Sequence, residues 1–360
     1  MAPEESSSDE ESRKRYWPVD WLPTQWKSGR GDGIHLTVLY HNKRFHISLN
    51  PPTSSDTIEG PLISKFDRTI EENKDKIWDV QWDIQKVIYE AGGSLWDELA
   101  PPLNETEHPR LDLYTVIYPE TFSFRFITKD GKAELIRLLE SRFYDDPFGL
   151  KITDDTGLPQ YPSKDVHILE TLPGLGCIAK VSVGGEEMCC KSGNDIDRAL
   201  EREFECLRKV AQSPLAPSIR VPELLGLITK SEEEPEIIIG ILEEYIPTGT
   251  IHTLVDLEDL SVEVSAQSIQ KWGTQIQKTL DSLHKVGVIW GDGKPQNILI
   301  HEETDEAWVI DFGGGYTRGW VDEKLMETLE GDEQAVTKIL EYLNSMAAKR
   351  RDADNHTETG

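Results

Sequence analysis

The sequence predicts an α+β chain in two parts, on three observations. Residues 33–50, "GIHLTVLYHNKRFHISLN", alternate apolar and polar on both sides of "HNK", the period of a half-buried β-hairpin. Ile77, Val80, Ile84, Val87 and Ile88 recur at helical spacing within "NKDKIWDVQWDIQKVIYEA". From about Asp165 the pattern changes to short strands, a helix, more strands and then a long helix, so a second unit starts there.

Taken in order, residues 1–15, "MAPEESSSDEESRKR", are serine-rich and charged and predict a disordered tail. Residues 16–150 predict a small α+β unit whose role the sequence leaves open. It opens with "YWPVDWLPTQW", whose prolines favour an extended segment pinned by Trp17, Trp21 and Trp26. After the hairpin and the helix, "RLDLYTVIY" and "FSFRFIT" read as two more strands and "KAELIRLLESRF" as a helix. No cluster of catalytic residue types stands in this unit. A loop-rich join, "YDDPFGLKITDDTGLPQYPSKD", leads to the second domain, residues 160–345, and residues 346–360 read as a polar, frayed tail.

The chain carries 66 acidic and 38 basic residues, a formal net charge of −28. Such a surface repels phosphate backbones and anionic lipid, which argues against nucleic acid or a membrane as partner. No apolar run approaches the roughly 20 residues of a membrane span, and no charged-then-apolar leader opens the sequence. A cytoplasmic, or else nuclear, location is expected. Cys177, Cys189, Cys190 and Cys206 lack metal-type spacing and are expected as thiols, with Cys177 placed where oxidation would reach a glycine loop.

The chemistry concentrates in "HKVGVIWGDGKPQNILI", where Asp292, Lys294 and Asn297 crowd between a helix and a strand. Asp292 and Asn297 stand five apart, and Asp311 follows fourteen residues later in "WVIDFGGG". At this spacing Asp292 can orient a hydroxyl and accept its proton. Asn297 and Asp311 offer the hard oxygen donors that Mg²⁺ prefers, and Lys294 can neutralise a transferred phosphoryl group. Upstream, "GLGCIAKV" fits G-x-G-x-x-G-x-V with Ala179 at the last glycine, so Gly174 and Gly176 can bring backbone close to phosphates; a plain hairpin turn fits them as well. Lys191 follows on the strand "EEMCCKS". In the helix "DIDRALEREFECLRKV", Glu203 shares a face with Leu200 and Leu207 and can pair with Lys191, with Glu201 as the competitor on the more solvated face. "IIIGILEEYIP" then places Glu244 to Ile246 where backbone groups could bond an adenine.

With these elements in order, residues 165–315 resemble the protein-kinase-like fold. The stretch "LHKVGVIWGDGKPQNILI…WVIDFGGGYTRGWVDEKLMETLEGDEQAV" closely resembles a large fungal group of kinase-like proteins and, more distantly, aminoglycoside and choline phosphotransferases. The resemblance implies a bilobal domain with ATP and Mg²⁺ as ligands. It implies Lys191 on the phosphates with Glu203 as its partner, Asp292 as the catalytic base, and Asn297 and Asp311 on the metal. Two departures modify it. Trp290-Gly291-Asp292 has no arginine before the aspartate to receive a phosphorylated loop, and Trp290 reads as core. After Asp311 only 49 residues remain, without A-P-E, so the C-terminal lobe is expected to be shortened and the acceptor to be a small molecule, or a protein presented by the first unit. Phosphoryl transfer is therefore the expected reaction. An ATP-binding scaffold and a repurposed fold catalysing adenylyl transfer or amide formation are the alternatives.

Overall fold

A computed structural model describes residues 21–29, 33–54, 56–72, 76–102, 111–139, 149–152, 157–173, 177–193 and 197–357. The expected tail over 1–15 and Trp17 lie outside the described residues. The chain divides into two compact units, one of Met1–Leu111 with Thr115–Asp146 and one of Asp112–Tyr114 with Pro147–Gly360.

The first unit is a five-stranded sheet in the order β1 (Leu22–Gly29), β2 (Gly33–Tyr40), β3 (Lys43–Leu49), β4 (Thr121–Lys129), β5 (Lys132–Leu138). All pairs are antiparallel except β3 with β4. Parallel neighbours need a crossover, and helices α1 (Glu59–Glu72) and α2 (Ile77–Gly92) lie along it in the chain. The expected hairpin closes on His41 and Asn42, both at positive φ, as a two-residue turn demands. Ile34, Leu36 and Val38 of β2 face a core shared with Ile63, Phe66, Ile84 and Ile88 of the two helices. Trp21 joins this core edge-on to Trp96 at 5.0 Å, and Trp26 stacks on Phe66 at 5.7 Å.

Three local expectations need correction. "RLDLYTVIY" contains a short helix, Leu113–Ile117, because so short an apolar run has no period that separates strand from helix. "KAELIRL" is strand β5, in spite of its helix-forming residues. Asp130 and Gly131 take positive φ and close a tight hairpin that pairs β5 with β4 along its whole length, and that pairing overrides local propensity. Helix α1 was not anticipated, although Ile63 and Phe66 sit three apart on its buried face.

In the second unit, strands β6 (Gln160–Pro162), β7 (His167–Thr171), β8 (Cys177–Val183), β9 (Glu186–Ser192), β10 (Leu224–Thr229) and β11 (Ile238–Glu244) form a sheet in the order β6-β10-β11-β9-β8-β7. Helix α3 (Asp197–Ala211) follows β9 and buries Leu200, Phe204, Leu207 and Val210 as one stripe. A three-stranded sheet of β12 (Thr248–Thr253), β13 (Ile298–His301) and β14 (Ala307–Val309) carries the site loops. Beside it run α4 (Ala266–Lys285), which buries Ile269, Trp272, Ile276, Leu280 and Leu283, and α5 (Leu329–Thr357). Residues 346–357 of the expected frayed tail instead form the end of α5, and 358–360 lie outside the described residues. Met346 is buried, and the Arg350 guanidinium donates to the carbonyls of Val262, Leu257 and Asp259, which holds the helix end down. Among the described residues no helix is long and apolar enough to cross a membrane.

Candidate functional site

The stretch between α4 and β13 is held from below. Trp290 is fully buried, as its sequence context predicts, and its indole N–H donates to Ile310 O at 2.9 Å. Asp332, in the first turn of α5, accepts from the backbone N–H of Trp290 and of Gly291, both at 2.8 Å, and pairs with His284 Nε2 at 2.9 Å. The residue that follows, Asp292, is thus presented by a backbone with little freedom. Lys294 Nζ donates to Asp292 Oδ2, and the Thr317 hydroxyl donates to Asp292 Oδ1 at 2.9 Å; Lys294 Nζ also lies 3.2 Å from Thr317 Oγ1.

A single 3-10 turn, Pro295–Asn297, then feeds β13. Asn297 Nδ2 donates to Asp292 O at 2.9 Å, which leaves the side-chain oxygen for a ligand. Strand pairing brings the next acidic residue to the same place: Ile298 faces Val309, and Ile310 N donates to Asn297 O at 3.1 Å, with Asp311 immediately after. Asp311 has φ +64, a conformation disfavoured for a residue with a side chain and enriched at functional sites. Burial, then the neighbouring Glu203, pushes its carboxyl above the usual carboxylate range.

Lys191 lies on β9 between Ile178 of β8 and Ile241 of β11. Its ammonium is 2.6 Å from Glu203 Oε1 and 3.1 Å from Glu243 Oε2, all three groups being nearly inaccessible to solvent. Burial alone would push the lysine down; the two carboxylates outweigh it and hold Lys191 well above its ordinary value. Burial raises Glu243, with Lys191 opposing and Glu203 adding to the rise. Glu203 Oε1 also accepts from Phe312 N at 3.1 Å, so one carboxylate joins α3 to the sheet and to the residue after Asp311. The competitor Glu201 is turned elsewhere and accepts from Lys151 N at 2.6 Å.

Glu244 ends β11 and Ile246 is buried just beyond it. The Glu244 N–H is bonded to Glu223 O at 2.8 Å, so only its carbonyl could serve a ligand. Gly174 and Gly176 lie outside the described residues. Cys177 does not suit the redox idea raised by its position, because burial pushes its thiol up to about 11 and little thiolate exists at neutral pH.

Sequence reasoning missed Glu243, Thr317 and Asp332. The first had a local signal: two residues past the partner of Lys191 on β11, Glu243 must share the face of Ile241. Thr317 meets Asp292, and Asp332 the backbone of Trp290 and Gly291, only through tertiary folding.

The residues present fit Mg²⁺ and a nucleotide. Asn297 and Asp311 supply two hard oxygens, a donor set that suits Mg²⁺ shared with substrate phosphates. The carboxyl groups of Asp292, Asp311 and Glu203 gather around Lys191 and Lys294, with Glu243 held towards its protonated form by burial, and this acidic setting favours a divalent cation. Glu243 Oε1 is buried and, among the described residues, has no hydrogen-bond partner.

Comparison with known proteins finds similarity within the second unit. Residues 190–334 match the family model of the protein kinase domain. The chain is 32% identical over 157 residues to mitogen-activated protein kinase kinase 9 of Arabidopsis thaliana, covering 40% of this chain and 46% of that one. It is 28% identical over 130 residues to mitogen-activated protein kinase kinase kinase 17 of the same plant, covering 36% and 32%. A mitogen-activated protein kinase kinase kinase 7-like protein of Drosophila melanogaster is 21% identical over 140 residues, covering 38% and 34%. The chain thus spans less than half the length of these relatives. The second unit, with its two sheets and its helices, has a protein-kinase-like α+β fold.

Proposed function

We propose that the second unit transfers a phosphoryl group from ATP to the hydroxyl of a small-molecule acceptor. The observation that carries this reading is the buried Lys191–Glu203 pair, bonded through Glu203 to Phe312 beside Asp311 and facing an Asp292 loop fixed by Asp332. Bound Mg²⁺·ATP supplies the phosphoryl group and a cation that neutralises its charge. Lys191 binds and orients the α- and β-phosphates. Asn297 and Asp311 hold the metal through oxygen. Asp292 orients the acceptor hydroxyl and takes its proton as the oxygen bonds to the γ-phosphorus and the bond to the β–γ bridging oxygen breaks, with ADP leaving, and Lys294 sits at Asp292 to stabilise charge on the group in transit. Backbone groups of Glu244 and Ile246 are the adenine contacts in this reading, with Gly174 and Gly176 over the phosphates.

A small acceptor is supported by the segment after Asp311, which is short and tied down: Thr317 bonds to Asp292, Gly315 N to Glu327 Oε1 within the segment at 3.2 Å, and Asp322 N to Gln334 Oε1 of α5 at 2.8 Å. The names of the relatives, kinases of protein kinases, favour a protein acceptor instead. One specific arrangement favours a second reading, an ATP-binding scaffold: both Asp292 oxygens are engaged, and Lys191 is shared by a second carboxylate. The test incubates purified protein with ATP, Mg²⁺ and either a small-molecule or a protein fraction of a cell extract, with Asp311→Ala as background. ADP formed with the small-molecule fraction supports the proposal, and ADP formed with the protein fraction alone moves the acceptor to protein. Pyrophosphate with AMP left on the acceptor points to adenylyl transfer, pyrophosphate with free AMP points to amide formation through an adenylate, and nucleotide binding without product points to the scaffold.

A further inference from the structure

Arg202 precedes Glu203 on α3 and is half-buried; its guanidinium bonds to backbone carbonyls, with the Glu327 carboxylate close by across Gly314. Nη2 donates to Ile289 O at 2.9 Å, and Nη1 donates to Trp290 O at 3.1 Å and to Phe312 O. The Phe312 residue is therefore gripped twice from one helix: its carbonyl by Arg202 and its N–H by Glu203. Room for the guanidinium is made by two glycines. A Cβ at Gly291 would stand 2.8 Å from Arg202 Nη2, and one at Gly314 would stand 3.1 Å from its Cδ and Nε; both glycines have φ near +90, where side chains are disfavoured in any case. Gly291 is also the position at which the sequence lacks an arginine before Asp292.

We infer that Arg202 is a positioning residue that locks α3 to the Asp292 loop and to the Asp311–Phe312 segment, so that the Lys191–Glu203 pair is held formed without phosphorylation of the following loop. The physical reason is the fork of the guanidinium, which spans carbonyls of two separate segments, whereas an ammonium reaches fewer of them and a neutral chain none. This inference rests on the phosphotransferase reading for its catalytic consequence, though not for its structural one.

The test compares wild type with Arg202→Met and Arg202→Lys in the full chain. Turnover, Mg²⁺·ATP affinity by calorimetry and amide hydrogen exchange at residues 289–292 and 311–315 are read together. Loss of hydrogen bonds from a charged donor should lower kcat by about tenfold to hundredfold in Arg202→Met. The ATP dissociation constant should move less than about threefold, the split expected of a residue that acts on geometry. Exchange should accelerate at Phe312 and Gly291, and Arg202→Lys should recover part of both effects. Unchanged kcat with unchanged protection would overturn the inference, as would a lysine variant no better than methionine in both readouts. If wild type yields no nucleotide product, the phosphotransferase reading fails on its own. Hydrogen exchange then decides the Arg202 inference: faster exchange at both segments upholds the lock, and unaltered exchange sinks it.

Discussion

Replacing Asp332 with alanine should release the Asp292 loop and weaken the second unit substantially. The carboxylate is almost wholly buried, at 2% exposure, and takes three hydrogen bonds, from Trp290 N and Gly291 N at 2.8 Å and His284 Nε2 at 2.9 Å. Alanine leaves two backbone amides in the interior without acceptors. Each stranded donor costs about 1–3 kcal/mol, so a loss of about 3–5 kcal/mol is expected once partial relaxation is allowed. That is a large share of a typical folding stability of about 5–15 kcal/mol. Asp332→Asn keeps the size and one acceptor oxygen and should lose roughly half as much. Urea unfolding followed by tryptophan fluorescence reads the effect, since Trp272 and Trp290 are buried in this unit. A shift in midpoint at constant slope is expected. Loss of less than about 1 kcal/mol in Asp332→Ala, with unaltered exchange at Trp290 and Gly291, would refute the claim that this carboxylate holds the loop.

Glu243→Gln should flatten the pH dependence of stability. Burial first, and Glu203 after it, hold the folded carboxyl above its unfolded value, so the folded state binds the proton more tightly. Its stabilising contribution is complete below the ordinary carboxylate value and declines as pH rises from there towards the raised one. Melting curves of wild type and variant between about pH 5 and pH 8 should therefore diverge, and parallel curves would contradict the assignment. Lys191→Met leaves Glu203 and Glu243 buried without a counter-ion. It should reduce ATP affinity at least about a hundredfold and destabilise the fold by about 3–5 kcal/mol, read by calorimetry and thermal melts; retained ATP binding would exclude Lys191 as the phosphate ligand. Thr317→Val removes a hydroxyl bonded to Asp292 and near Lys294, and turnover should change about tenfold with little effect on ATP affinity in a titration; equal losses in both would place Thr317 at the nucleotide instead.

Legibility in the sequence followed how local each feature is. Asp292, Asn297 and Asp311 could be read together because a short loop, one strand pair and a turn bring them together within twenty residues. Lys191 and Glu203 could be matched because a strand and the adjoining helix each have a period that fixes a face. Asp332 could not, since its partners lie about forty residues upstream and only the packing of α5 against the loop reveals them. Arg202 was not singled out, since its carbonyl partners lie 87 to 110 residues away in sequence. In the first unit, β5 was misread because "KAELIRL" carries helix formers, whereas the deciding residues were Asp130 and Gly131 just before it. The hairpin at His41 and Asn42 was legible because alternation on both sides left only the turn to be filled.

The most direct test of the central claim compares wild type with Asp292→Ala, measuring ADP formed from Mg²⁺·ATP in the presence of the small-molecule fraction and, separately, Mg²⁺·ATP affinity. The account predicts ADP from wild type, its loss in the variant, and an affinity that stays within about threefold, because Asp292 handles the acceptor proton and the nucleotide is held by other residues. Loss of binding with turnover retained, or equal ADP from both proteins, would contradict it.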